Sequence, residues 1–447
     1  MTPHRARQLI SPLPHAPTHA ASQTTLRRVW EGAGVRGITS AFVAFAIFTL
    51  LLTGCTPRTN SPFANLTPQQ ARDLPRQMNR DRADALDADL RQAFATRPPA
   101  NILILSGGDA HGAFGCGVLA GWRDAPGGRP TFDVVTGVST GALMATFAFL
   151  GHDADDATLR DVYTHLRDRD VMDGPFTPGP PDSVFDTRPL RALIARRVTP
   201  DAIRRVADAH HHGRRLYVAT VDLDTGASVI WPLSRIAADA VDGNSAEKLD
   251  AGVKRFRNIL LAAASIPVLF PPVEIDGGLH VDAGIREAIF LRQAMLGLAH
   301  AYDDSIATNA QPRPSPPTVW AVVNGTLQTQ PQAVDDDLLH IGARSLDLYT
   351  QSLQVFNLRD AAHLAAAHTP PFQFNWIAEP QDLDDPPGPG LFSPMFDPPV
   401  MTHLYTTGQS LGRDPRAWRR GLPALDVENI NPPATMEAHH PKGNLNG

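Results

Sequence analysis

The five residues Gly137-Val138-Ser139-Thr140-Gly141 constrain this chain more than any others. They fit G-x-S-x-G, a pattern that sets a serine on a sharp turn between a buried strand and a helix. The flanks agree with that reading. Residues 131–136, Thr-Phe-Asp-Val-Val-Thr, spell a short apolar strand, and residues 142–150 spell an apolar helix. Gly137 and Gly141 let the backbone turn tightly and let strand and helix approach each other. A loop of glycine and serine matches the same five letters by chance, but it has no reason to be framed by a strand and a helix. On the turn, the serine hydroxyl projects away from the sheet, where a small molecule can reach it.

The rest of the chain repeats this strand-turn-helix grammar. Asn101-Ile102-Leu103-Ile104-Leu105 is a continuous apolar run, as expected of a strand buried on both faces. A glycine-rich loop follows, then an apolar helix over 118–122. Further strands are expected at 216–221, 319–323 and 372–377. Helices are expected at 258–264, broken by Ile266-Pro267, at 333–367 as one helix or two, and at 401–411. Residues 66–95 have the spacing of one or two polar surface helices, and the Pro-rich spans 311–317 and 386–399 read as loops. No internal repeat is present. Strands alternating with helices predict an α/β fold, with a mostly parallel central sheet in a three-layer α/β/α arrangement. The expected domains are a leader (1–55), a tether with surface helices (56–100), a large domain (101–412) and a disordered tail (413–447).

The amino terminus is expected to be a targeting segment. Arg5, Arg7, Arg27, Arg28 and Arg36 precede an apolar run from Ile38 to Leu52, the order of a secretory signal. The run ends in Leu52-Thr53-Gly54-Cys55, which resembles a bacterial lipobox. That resemblance implies that Cys55 becomes the lipid-modified first residue of a membrane-anchored lipoprotein of the cell envelope. Thr56 rather than Asp at the next position leans, by analogy, toward the outer membrane. Acyl chains there would hold the protein firmly, at about 0.8 kcal/mol per buried CH2. The alternative is an uncleaved inner-membrane anchor, since residues 37–54 are just long enough to span a bilayer. Both readings put the large domain beside a membrane and outside the cytoplasm. The net charge of −6 leaves no electrostatic footprint for nucleic acid. With two cysteines in all, Cys55 and Cys116, there is no disulfide framework.

A serine on such a turn points to acyl transfer, which also needs a base and donors for a developing oxyanion. Gly107-Gly108-Asp109-Ala110-His111-Gly112 lies directly after the first strand and supplies backbone N–H groups at a helix start. It lacks the lysine of a phosphate-binding P-loop. Two acids are candidates for the base. Asp276-Gly277 reads as a hairpin turn, whereas Asp282 follows the second strand of that hairpin, ahead of a helix expected near Glu287. The end of a strand is where ligands gather in open α/β sheets. A Ser–Asp–His triad would draw its histidine from His300, His340, His363 or His403, none of which directly follows a late strand. Cys116 reads as a small core residue. Asp222-Leu223-Asp224 and His210-His211-His212 lack metal-site spacing, so no metal or other cofactor is expected.

From about Asn101 to Leu411 the chain resembles the patatin-like phospholipase family. The glycine-rich loop, continued by Gly117-Val118-Leu119, and the serine turn carry the resemblance. So do Ala264-Ser265-Ile266-Pro267 with Phe270-Pro271-Pro272, and Val281-Asp282-Ala283-Gly284. The resemblance implies a lipid acyl hydrolase acting on membrane lipids or other acyl esters. Ser139 would be the nucleophile and Asp282 the base of a dyad without histidine, and amides around Gly108 and Asp109 would hold the oxyanion. Losing one such donor typically costs about 2.7–4 kcal/mol. The chain departs from the family pattern at Asp109, where a third glycine is usual, and at His111, where a basic residue is usual. Asp tolerates left-handed backbone better than most residues. Its charge opposes a developing oxyanion unless it points away.

Overall fold

Strand β1 (Asn101–Leu105) is apolar at four consecutive positions, and such a strand needs cover on both faces. Ile102 and Ile104 enter one core, Leu103 and Leu105 the other. The same alternation runs through β2 (Val134–Gly137), β3 (Arg215–Asp222) and β7 (Thr318–Val323). Val134, Tyr217 and Val319 join the Ile102 side, and Val135, Leu216 and Val322 join the Leu103 side. Two cores separated by one sheet make the three-layer α/β/α architecture. The structure is a computed structural model. It describes residues 66–423 apart from 175–181, 290–291, 308–313, 330, 332, 335, 337, 382 and 384–393. These all lie in the unit Arg58–Gly447. The expected leader with Cys55, residues 56–65 of the tether and residues 424–447 of the tail lie outside the described residues.

The sheet is mixed, with mostly parallel strands. β5 (Val273–Ile275), β6 (Gly278–Asp282), β3, β2, β1, β7, β8 (Gln373–Ala378) and β9 (Arg419–Arg420) are hydrogen-bonded one to the next in that order. β4 (Ala227–Pro232) lies along β3. The run β3-β2-β1-β7-β8 is parallel throughout. β4, β6 and β9 pair antiparallel with their neighbours. Asp276 (φ 53°) and Gly277 (φ 82°) form the expected hairpin turn between β5 and β6. The Asp276 carboxylate is held by Arg255 at 2.6 Å, so this acid serves the turn.

On the Leu103 face lie α2 (Gly112–Arg123), α3 (Thr140–Leu150), α4 (Asp153–His165), α6 (Arg188–Arg197) and α7 (Pro200–His211), after the short α5 (Asp168–Val171). They are joined there by α8 (Leu233–Asp242), α9 (Ala246–Ala263) and α12 (Pro398–Arg413). The opposite face is covered by α1 (Pro68–Ala93), α10 (Arg292–Ala307) and α11 (Leu338–Ala367). Among the described residues no helix is long and apolar enough to cross a membrane.

Several boundaries differ from the sequence reading, each for a physical reason. α2 begins at Gly112, not Val118, because its glycines serve close packing rather than a longer loop. A Cβ on Gly117 or Gly121 would fall 2.0 Å from the carbonyl oxygen of Tyr405 or Gln409 on α12. Reciprocally, one on Gly408 or Gly412 would fall 2.1 or 2.3 Å from the carbonyl of Phe114 or Val118. α9 begins at Ala246, not Asn258, capped by Ser245, and its polar first half hid it. The helix expected near Glu287 starts at Arg292, after a 3-10 turn at Ala283–Ile285. Pro398 and Pro399 open α12 rather than closing a loop, since proline is tolerated in the first turn of a helix. The fold also continues past residue 412, where a disordered tail was expected. Buried Trp418 packs against Trp122 and Trp320, tilted to the first and edge-on to the second, with ring centroids 4.5 and 5.0 Å away.

Candidate active site

β3 decides where the site forms. One edge of β3 carries β4 along Tyr217–Asp222. The other edge is shared by two strands: β2 pairs with Arg215–Val218, and β6 pairs with Thr220–Asp222. β2 ends at Gly137 opposite Val218, and Asp282 lies opposite Thr220, two residues further along the same edge. The chain leaving β2 must therefore turn out of the sheet just where Asp282 arrives. That turn is Gly137–Gly141.

Ser139 sits on it with φ 54° and ψ −127°, a strained conformation for a residue with a side chain. The glycines beside it permit the turn. A Cβ on Gly137 would meet the Gly141 carbonyl oxygen at 2.4 Å, and one on Gly141 would meet the Leu105 and Ser106 carbonyls at 2.5 Å. The Thr140 hydroxyl, at the start of α3, is 2.6 Å from the buried Tyr163 hydroxyl and pins that helix to α4.

Asp282 is buried and tied down from both sides. Its N–H donates to the Ser265 carbonyl at 2.9 Å, which gives the Ala264–Pro267 segment a concrete task. Its carboxyl accepts from the Gly284 N–H at 2.7 Å and from the Ser139 hydroxyl. Burial raises the Asp282 pKa to about 7; the bonds from Ser139 and Gly284 pull it down, and the Asp109 charge adds to the rise.

The glycine-rich loop lies against Ser139: a Cβ on Gly107 would be 3.2 Å from the Ser139 Cβ. The Gly107 N–H donates to the Ala288 carbonyl at 3.1 Å. Gly108 takes φ 140° and Asp109 φ 45°, a left-handed conformation that aspartate tolerates better than most residues. Among the described residues, the N–H groups of Gly108 and Asp109 have no hydrogen-bond acceptor. They sit just ahead of α2, whose dipole adds partial positive charge. The Asp109 side chain is open to the cavity, but the cavity is walled by protein. Poor hydration there raises its pKa, with His111 opposing the rise. His111 Nδ1 lies 2.8 Å from Oε2 of Glu379, whose side chain is fully buried.

A cavity opens from Ser139 and Asp109, with an empty volume of about 820 Å³, mouth included. It runs along α3 past Leu143 to Phe147, roughly 10 Å at 1.5 Å per residue. Apolar side chains of α4, α6 and α9, among them Val162, Leu193 and Leu260, complete the wall. The sequence did not show this cavity, because its walls come from helices far apart in the chain.

The other candidates are elsewhere. His300 pairs with Asp87 at 2.7 Å. His363 and His403 are exposed on α11 and α12, and the His340 side chain lies outside the described residues. Cys116 is buried in the core, as expected. The His210–His212 run closes α7 just before β3, with His210 against the Ser234 hydroxyl at 3.2 Å and His211 and His212 exposed. Among the described residues, no group of three or more His, Cys, Asp or Glu side chains is arranged to hold a metal ion. Three residues escaped the sequence reading: Asn324, Gln354 and Glu379. Asn324 and Glu379 are the first residues after β7 and β8. The sequence signal that would have found them is a polar residue at the end of a parallel strand.

The fold and this site define an α/β domain with a serine at a strand-to-helix turn. Residues 103–295 match the model of the patatin-like phospholipase family. This stretch is a patatin-like phospholipase domain. A comparison with curated proteins finds no match. Among solved structures, VipD from Legionella pneumophila is similar over 73% of this chain and 69% of its own, at 10% identity and a TM-score of 0.33. A likeness that slight carries no argument.

Proposed function

We propose that this protein is a phospholipase A-type acyl hydrolase that works through a Ser139–Asp282 dyad. The domain supports lipid acyl hydrolysis in general. The observation that carries the finer reading is the hydrogen bond from the Ser139 hydroxyl to Asp282 at the mouth of an apolar cavity. Asp282, as carboxylate, takes the Ser139 proton while Oγ attacks the ester carbonyl carbon. The carbonyl π pair moves onto oxygen, where the N–H groups of Gly108 and Asp109 receive it. Collapse expels the alcohol, which takes the proton back from Asp282, and leaves an acyl-enzyme. Water attacks next, with Asp282 again as base, and the free fatty acid departs. The cavity along α3 takes the acyl chain. Asp282 has no bond to any described histidine, which favours a dyad over a triad.

The test is release of p-nitrophenol from a medium-chain ester by wild type, Ser139→Ala and Asp282→Asn. Wild-type turnover lost in both folded variants, by about 10⁴-fold or more, supports the dyad. Retained turnover in Asp282→Asn overturns it.

The reading includes a lipid anchor at Cys55 that holds the domain at a bacterial envelope membrane, with membrane lipids as substrate. Bacterial cells expressing the full chain and fed labelled palmitate should label wild type and not Cys55→Ser. Equal labelling of both removes the anchor from the proposal.

A further inference from the structure

The oxyanion loop is held from behind by residues outside the stretch that matches the family. Ser106, the first residue after β1, donates its hydroxyl proton to the Gly107 carbonyl at 2.7 Å. The same oxygen accepts from the Asn324 N–H and from Gln354 Nε2, both at 2.8 Å. Asn324 Nδ2 donates to the Ser106 carbonyl at 2.8 Å. The Asn324 main chain also fills the space behind Gly108, where a Cβ would lie 2.0 Å from its carbonyl oxygen. At the far end of the loop, His111 rests on Glu379.

All four of Ser106, Asn324, Gln354 and Glu379 are buried. Asn324 keeps its Oδ1 buried with no hydrogen-bond partner among the described residues. An unmet acceptor in a core is unfavourable, and native cores keep one mainly where a position does something else. Here the other half of the amide fixes the main chain two residues before Gly108.

We infer that Asn324, Gln354 and Glu379 are positioning residues that hold the Gly108 and Asp109 N–H groups on the developing oxyanion. The inference rests on the acyl hydrolase reading above. None of the three touches substrate: Asn324 and Gln354 act through Ser106, and Glu379 acts through His111. Catalysis by fixed N–H groups depends on their being in place before reaction, so releasing the loop weakens the transition state more than the ground state.

The experiment compares full-length wild type, Gln354→Met and Glu379→Gln, with two readouts on folded protein well below its thermal midpoint. One is kcat and KM for a p-nitrophenyl ester. The other is affinity for an alkyl trifluoromethyl ketone. Ser139 Oγ bonds to the ketone carbon, its proton passes to Asp282, and the carbonyl oxygen becomes an alkoxide in the loop. The expected result is a fall in kcat of about 10- to 100-fold at near-constant KM, with ketone affinity falling by a similar factor. A merely structural role lowers the thermal midpoint and leaves both readouts at wild-type values, which overturns the inference. The two variants act at opposite ends of the loop, so either one suffices if the other fails to fold. Wild type that neither cleaves the ester nor binds the ketone overturns the hydrolase reading, and this inference with it.

Discussion

At the scale of single residues, Asp282 links pH to both rate and stability. Its pKa is about 7 in the fold, against 3.8 for an unperturbed aspartate. In the proposed dyad Asp282 acts as a carboxylate, so kcat/KM should rise with pH through about 7 and level off above it. Stability runs the other way. The folded state holds this proton more tightly than the unfolded chain, so its contribution is full below about pH 4, is lost as pH climbs to about 7, and is flat beyond. Asp282→Asn should therefore be more stable than wild type at pH 8, by about 2–4 kcal/mol, while losing the turnover proposed above. Urea unfolding at pH 8 checks this; a variant less stable than wild type contradicts the buried-carboxylate account. Asp109 acts on the same equilibrium. Its charge raises the Asp282 pKa, so Asp109→Asn, which tolerates the left-handed backbone, should move the midpoint of the pH–rate curve downward. An unmoved midpoint would mean that the two carboxyls do not sense each other.

At the scale of elements, α3 sets the depth available to an acyl chain. Leu143 lies one turn beyond Thr140 on the cavity wall and Phe147 lies a further turn in. Leu143→Trp should confine turnover to short-chain esters, and Phe147→Ala should extend the preference toward longer ones, in a series from butyrate to palmitate. The overpacked variant should lose about 1–3 kcal/mol of stability. An unchanged chain-length profile in both would remove the cavity from the acyl site. Much at this scale was legible in the sequence. Asn101–Leu105 and Val319–Val323 declare themselves as strands because a doubly covered strand must be apolar at consecutive positions. The extra length of α2 was not legible, because glycine is read first as a loop former. Gly117, Gly121, Gly408 and Gly412 instead let two helices meet backbone to backbone, a reason that exists only in the packed pair.

At the scale of the whole molecule, the parts of the candidate site that are local could be read from the sequence, and the parts that are not could not. Ser139 lies in a turn and Asp282 at the end of a hairpin strand, and the neighbouring residues mark both places. Asn324 and Gln354 meet Ser106 across 218 and 248 positions of chain, and no local pattern marks such a pair. The stretch that matches the family stops at residue 295, before β7, which covers one edge of the central strand β1. A fragment of residues 101–300 should therefore expose that edge, aggregate, and show no esterase activity, as solubility and circular dichroism would record. A soluble, active fragment would show that β7 and α12 are dispensable. The back-to-back contact of α2 with α12 has a consequence in time. Domains fold from the amino terminus as they are made, yet the helix that carries the catalytic loop waits for a partner that begins at Pro398. A chain made as far as residue 300 already contains Ser139 and Asp282 but still lacks the helix against which α2 packs. Synthesis order should therefore delay the proposed hydrolysis until nearly all of the chain has been made.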